Sequence, residues 1–175
     1  MDGNRTFVPP GFDVPTGLGT PWFSLEPLGP EHNERDFHAW TLSIGHIRAT
    51  PGYEGRSWPH PMTLEENLGD LEMHARHFRD RLGFTYTALD VEGDVVGCLY
   101  IHPADDDDHD ARVLSWVRAS RRELDPVLWR EVSAWLEREG RSSASRTRRG
   151  IDARQAARSG CGVEVTGRPR PSTPW

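Results

Sequence analysis

Three strand-like runs in succession, from Phe84 to Val91, Asp94 to Ile101 and Ala111 to Arg118, constrain this chain more than any other feature. Each is rich in β-branched and aromatic residues and bounded by turn residues, which predicts consecutive strands. Glu92-Gly93 closes a hairpin between the first two, and the acidic stretch Asp105 to Asp110 joins the second to the third. Directly after Arg118 come Ala119-Ser-Arg-Arg-Glu-Leu124 and then Asp125-Pro126, read as an N-cap with proline at the first helical position. A helix start beside arginines suits anionic oxygens, so this order points to a phosphate-bearing cofactor.

Upstream, Trp22 to Leu28 predicts a first strand that Gly29-Pro30 ends. Phe37, Trp40, Ile44 and Ile47 recur at steps of three and four, which predicts one amphipathic helix from Glu31 to near Thr50-Pro51. Thr63-Leu-Glu-Glu66 is a capping-box pattern opening a second helix. Leu64, Leu68, Leu71, Ala75 and Phe78 form its stripe, and Gly83 is its expected stop. Pro126 to Glu139 predicts a third helix, with Trp129 and Trp135 expected in the core. The loop from Pro51 to Pro61 sets Tyr53, Arg56, Trp58 and His60 among prolines and glycines. It reads either as a rigid pocket wall or, more plainly, as a stiffened crossover in which Trp58 plugs a core edge.

With 175 residues, one compact domain is expected, and no apolar run approaches the ~18 residues of a membrane span. The first ten residues lack the basic and apolar regions of a secretory signal, and two cysteines form neither a disulfide framework nor a zinc spacing. A cytoplasmic protein is the expectation. All 21 basic residues are arginine, as the codon bias of a GC-rich bacterial genome produces, so Schiff-base and P-loop lysines are excluded.

Residues 1–21, rich in Pro, Gly and Thr, read as an arm lying across a domain that spans 22–139. From Gly140 to Trp175, 8 arginines face only Asp152 and Glu164. With −6 overall and +6 in this segment, residues 1–139 carry −12. The segment 140–175 is expected to be a disordered basic tail, with Gly162 to Thr166 its only strand-like fragment. It lacks the interleaved aromatics that stack on bases, which argues against nucleic acid. The composition change at Glu139-Gly140 is also what an out-of-frame reading of a GC-rich gene produces. His74 and His77 stand at a usable ligand spacing, and Asp105 to Asp110 is dense in oxygens. Neither completes a ligand set, so a solvated helix face and a polar hairpin end are preferred and no metal is expected.

Strand, helix, helix, antiparallel strands, arginine turn, helix is an order that resembles the GNAT acyltransferase superfamily, from about Trp22 to Trp135. Val95-Val-Gly-Cys-Leu-Tyr-Ile101 is similar to that family's third strand and Leu114-Ser-Trp-Val-Arg118 to its fourth. The resemblance implies an α+β fold, with a mixed, mostly antiparallel central sheet flanked by helices. It implies an acyl-CoA dependent N-acetyltransferase that uses acetyl-CoA as co-substrate and acts on a small-molecule or peptide amine. In that arrangement the backbone of Trp116, Val117 and Arg118 meets the thioester and pantetheine, while Arg121 and Arg122 stand at the pyrophosphate. Trp58, His60 and Tyr86 would wall the acceptor site, where His60 either accepts a proton or hydrogen-bonds the loop.

The family's pyrophosphate loop runs Arg/Gln-x-x-Gly-x-Gly/Ala, whereas Leu124, Asp125 and Pro126 stand where small residues belong. Tyr53, Tyr86 and Tyr100 all precede the fourth strand, so the family's proton-donating tyrosine has no counterpart and the catalytic residues are unassigned. These departures support a second reading, a non-catalytic GNAT-like ligand-binding module.

Overall fold

The turn at Glu92-Gly93 forms as expected in the computed structural model, which describes residues 7–105, 109–142 and 150–153. Asp90 Oδ1 accepts from the amides of Glu92 and Asp94 at 3.1 and 3.0 Å, and Gly93 adopts φ +86. That left-handed conformation is open to glycine at little cost. Among the described residues the sheet has six strands in sequential order: β1 (Leu18–Gly19), β2 (Ser24–Pro27), β3 (Phe84–Leu89), β4 (Val95–Pro103), β5 (His109–Val117) and β6 (Gly150–Ala153). All neighbours pair antiparallel except β5 and β6, which are parallel. The expected α+β fold is therefore present, with a mixed, mostly antiparallel sheet and helices on both faces.

The helices are α1 (Asn33–Thr41), α2 (Ile44–Arg48), α3 (Leu64–Arg79) and α4 (Asp125–Ser142). The Thr63 capping box closes in both directions, with Glu66 N donating to Thr63 Oγ1 at 3.1 Å and Thr63 N donating to Glu66 Oε2 at 2.6 Å. No helix among the described residues is long and apolar enough to cross a membrane.

Each face of the sheet has its own core. On one, Phe84, Tyr86, Leu99, Ile101, Val113 and Val117 pack against Leu128, Val132 and Trp135 of α4, with Phe7, Val8 and Val14 of the arm added at the edge. On the other, Leu89, Cys98 and Trp116 pack against Trp40, Ile47, Leu71 and Tyr53. Every residue of β3 is buried, as a strand covered on both sides requires. Trp135 is fully in the core, while Trp129 is half-buried at its rim.

A bulge at Val96 sorts β4 between these cores. Ala88 opposes Gly97 while Leu89 opposes Val95, so Val96 is the extra residue. Val95 and Cys98 then face the α1–α3 side, and Val96 and Leu99 face α4. β5 runs so close that a Cβ on Gly97 would sit 2.3 Å from the Trp116 carbonyl oxygen, which excludes any larger residue.

Three expectations are corrected. The helix predicted across 31–50 is interrupted at Leu42-Ser43, where Ser43 Oγ donates to Ala39 O and accepts from the Ala119 amide at 2.9 Å, tying the break to the end of β5. Asp125 is not an N-cap: it has helical φ −56 and ψ −52, because a 3-10 turn at Ala119–Leu124 already leads into α4. The left-handed residue after α3 is Arg81 at φ +59, two residues before Gly83. Its guanidinium donates to Pro9 O and Phe12 O at 3.1 and 2.9 Å, holding the arm to the domain. Past residue 139, α4 runs to Ser142 and β6 lies at Gly150–Ala153. The fragment from Gly162 to Thr166 lies outside the described residues, as does most of the segment expected to be disordered.

Candidate active site

A cavity of about 280 Å³ lies on the α1–α3 side of the sheet. Strand alternation places Tyr100 and His102 of β4 beside Leu114 and Arg112 of β5 on its floor, where these residues are direct partners in the ladder. α1 contributes Asp36, α3 contributes Asn67, Asp70, Leu71 and His74, and the loop at 49–63 contributes Tyr53, Arg56 and Trp58. Leu28 completes the lining.

Asp36 is only 5% exposed. Its Oδ2 accepts from Asn67 Nδ2 at 3.2 Å, and Asn67 is itself fixed by Trp40 Nε1, which donates to Asn67 Oδ1 at 2.9 Å. Burial drives the Asp36 carboxyl up from 3.8 to about 6; the Asn67 hydrogen bond and His32 oppose the shift, and Asp70 adds to it. A carboxyl tuned there is ionised at neutral pH yet close enough in basicity to take a proton from a substrate.

The lining also holds basic groups. Arg112 is paired through Nη1 with Asp105, while its Nε is buried without a partner among the described residues. Arg56 donates from Nε to Gly52 O at 2.6 Å and is otherwise exposed. His102 lies between them, its basicity lowered by burial first and then by Arg112, His77 and Arg56. His74 Nδ1 is 3.0 Å from Thr85 Oγ1, and burial, reinforced by His102 and His77, lowers it to about 4. His74 is therefore neutral at pH 7. Tyr53, 3% exposed, has a buried hydroxyl with no partner among the described residues. Tyr100 accepts from Trp116 Nε1 at 3.2 Å, and burial raises both phenols, so each keeps its proton as a donor.

Trp58 lines the cavity. Its ring packs near those of Trp40, Tyr53, Tyr100 and Trp116 at 5.9, 5.8, 6.5 and 6.2 Å. It is both core plug and pocket wall. His60 is turned to solvent, with Nδ1 3.2 Å from Ser57 O, and does not line the cavity. Tyr86 lies on the other face, where its hydroxyl donates to Pro15 O at 2.7 Å and its ring meets Trp135 edge-on. Tyr86 is therefore corrected from acceptor wall to α4 core, because even positions of β3 point away from the cavity.

At the expected cofactor side, the Arg118 amide donates to Val96 O at 2.8 Å, so Arg118 and Val96 form a hydrogen-bonded pair. Alternation then directs the Trp116 amide into the β4 ladder and the Val117 amide to the outer edge of β5. Pairing with β6 on that edge runs from His109 to Val113 and, among the described residues, stops there. The Arg121 guanidinium is held by Asp90 and Glu123, each at 3.0 Å, while Arg122 is exposed. Asp90, Glu92 and Asp94 are the one set of carboxylates among the described residues close enough to share a cation. Turn amides and Arg121 already occupy Asp90.

The sequence reading missed Asp36, Tyr100, His102 and Arg112. Asp36 carried a signal: one step from Phe37 and four from Trp40, it is an acid on an apolar helix face.

No family model matches the chain, and no curated protein sequence matches it significantly. Solved structures do. A ribosomal-protein-alanine acetyltransferase from Vibrio fischeri is 13% identical, with TM-score 0.56, over 74% of this chain and 69% of its own. RimL, a ribosomal-protein alpha-N-acetyltransferase solved with coenzyme A, is 11% identical with TM-score 0.58, over 74% and 68%. MccE, a microcin C7 self-immunity acetyltransferase solved with acetyl-CoA and AMP, is 10% identical with TM-score 0.56, over 74% and 69%. At these identities the likeness shows the fold alone: the chain shares the architecture of these structures, each of which is an acetyltransferase.

Proposed function

We propose that this chain is an acyl-coenzyme A dependent N-acyltransferase. One observation carries the reading: β5 serves two spaces at once. Its Arg112 and Leu114 side chains floor the cavity, while at its outer edge the pairing with β6 ends at Val113 among the described residues, and alternation turns the Val117 amide to that edge. An acceptor on one side of the strand and an acyl donor along its edge meet there.

Bound acyl-coenzyme A supplies an acyl group activated as a thioester. The protein holds it with the Val117 amide along the pantetheine and with Arg122, exposed at the turn before α4, at the phosphates. Trp58 and Tyr53 confine the acceptor, and the Asp36 carboxylate takes one proton as the amine nitrogen attacks the acyl carbon. A C–N bond forms, the C–S bond breaks, and the thiolate takes a proton from solvent, so the products are an amide and a free thiol.

Arginine side chains are assigned the phosphate end, because several amides of the turn are committed or missing. Ala119 N is taken by Ser43, Arg121 N donates to Arg118 O at 2.9 Å, and Pro126 has no N–H. That occupancy favours the second reading, a GNAT-like binding module without turnover. Calorimetric titration with acetyl-CoA, together with thiol release in the presence of an amine panel, separates the two. Binding of acetyl-CoA, weakened by about 2–4 kcal/mol in Arg121→Ala/Arg122→Ala, supports the transferase. No binding by the wild type, or equal binding by both proteins, leaves the module.

A further inference from the structure

We infer that the cavity selects a small amine that also carries an anionic group, a carboxylate or a phosphate, with the amine toward Asp36 and the anion toward Arg56 and Arg112. Naming that amine as the acyl acceptor rests on the transferase reading; the charge preference of the cavity does not.

The lining is divided by sign. Asp36 and Asp70 are on helices α1 and α3, with Asn67 between them in sequence, whereas Arg112 rises from β5 and Arg56 from the loop. A plain cation would satisfy the first pair and be repelled by the second, and a plain anion the reverse. A ligand with one charge of each sign fits both. Two side chains of the lining carry uncommitted donors. Tyr53 Oη and Arg112 Nε are buried and have no acceptor among the described residues, so neither atom is tied to the fold, and a small rotation of either side chain would turn it to an oxygen in the cavity. Anionic oxygens are the strongest acceptors for such donors. Among the described residues the Arg56 guanidinium engages Gly52 O through Nε, and its exposed terminal nitrogens can reach the same anion.

Size narrows the class. About 280 Å³ is just under the ~300 Å³ at which pockets for drug-sized ligands begin, so an amino acid or amino phosphate is accommodated. Trp58 and Tyr100 supply flat apolar surface between the two charged ends. A diamine would bring its second ammonium against Arg112.

The test is calorimetric and needs no acyl donor. Phenylalanine is compared with phenethylamine, O-phosphoethanolamine with ethanolamine, and putrescine serves as the dication; the two pairs report carboxylate and phosphate separately. At least one anion-bearing amine should bind about tenfold or more tightly than its partner lacking the anion. Arg56→Gln, at an exposed side chain, should reduce that ratio, and Arg112→Gln should reduce it further. The inference is overturned if no compound binds, if phenethylamine, ethanolamine or putrescine binds as tightly as the anion-bearing amines, or if Arg56→Gln leaves the ratio unchanged. A preserved preference in a protein that fails to bind acetyl-CoA would uphold it while removing the transferase reading.

Discussion

The two faces of the sheet are built from one set of strands and have opposite characters. Against α4 the contacts are apolar, and the one tyrosine hydroxyl, that of Tyr86, has a carbonyl partner in the arm. Against α1 and α3 the same strands present Tyr100, His102 and Arg112 to a cavity, with a carboxylate of raised pKa and donors left without partners. The first face does what stability requires. The second retains features that cost stability, which is where a binding or catalytic role is expected.

Trp135→Ala should have the largest effect on stability, about 3–5 kcal/mol by urea denaturation, because it empties a large volume on the packed face. Trp58→Ala should cost less, since that ring is half-buried beside space that is already open, yet should remove ligand binding. Equal stability losses, with ligand binding retained by Trp58→Ala, would erase the distinction between the faces.

Asp36→Asn should then stabilise the protein at neutral pH by no more than ~3 kcal/mol while lowering turnover about a hundredfold or more. The sign follows from a carboxyl at about 6 in the fold against 3.8 in the unfolded chain. Below 3.8 both states hold the proton and its contribution to stability is complete; that contribution is lost as pH rises through 6. His74 acts in the reverse direction, since its pKa is lowered from 6.5 to about 4: its contribution is present above 6.5 and lost as pH falls through 4. Wild-type stability should therefore change little between those values, and Asp36→Asn should expose the His74 acid limb. Denaturation curves across that range check it. An unchanged pH profile in the variant would remove Asp36 as a titrating group.

The smallest effect makes the sharpest comparison, because the same atom is deleted on each face. Tyr86→Phe should lose about 1 kcal/mol with its Pro15 hydrogen bond and leave ligand binding intact. Tyr53→Phe removes an unpartnered hydroxyl, so stability should hold or rise while the preference for anion-bearing amines weakens. Matching stability losses in the two variants would contradict the contrast.

These faces were unequally readable from the residues. Apolar spacing located α3, α4 and three central strands, because burial of a periodic stripe dominates their energetics. The cavity face depends on long-range placement. Arg112 has no local signal that it will stand beside His102, and Tyr86 has the same alternation as Tyr100 although it points the other way. Trp58 was found because prolines and glycines advertise a shaped loop. The interruption at Ser43 was not, since its hydroxyl bonds to Ala119 across 76 residues of chain. β6, four residues in an arginine-rich segment, gains its identity from the edge of β5 and not from propensity.

The Val96 bulge gives β4 a spare residue. Two residues of β4 stand against one step of β3 there, so the flanking pairs, Leu89 with Val95 and Ala88 with Gly97, can remain opposite each other whether or not position 96 is filled. Loss of Val96 would leave a plain alternation in which Val95, Cys98, Tyr100 and His102 keep the cavity side and Leu99 and Ile101 keep the α4 side. A one-codon deletion at position 96 should therefore be tolerated better than one at any position from Cys98 to His102, where the lost residue is one that pairs with both neighbouring strands or with β5.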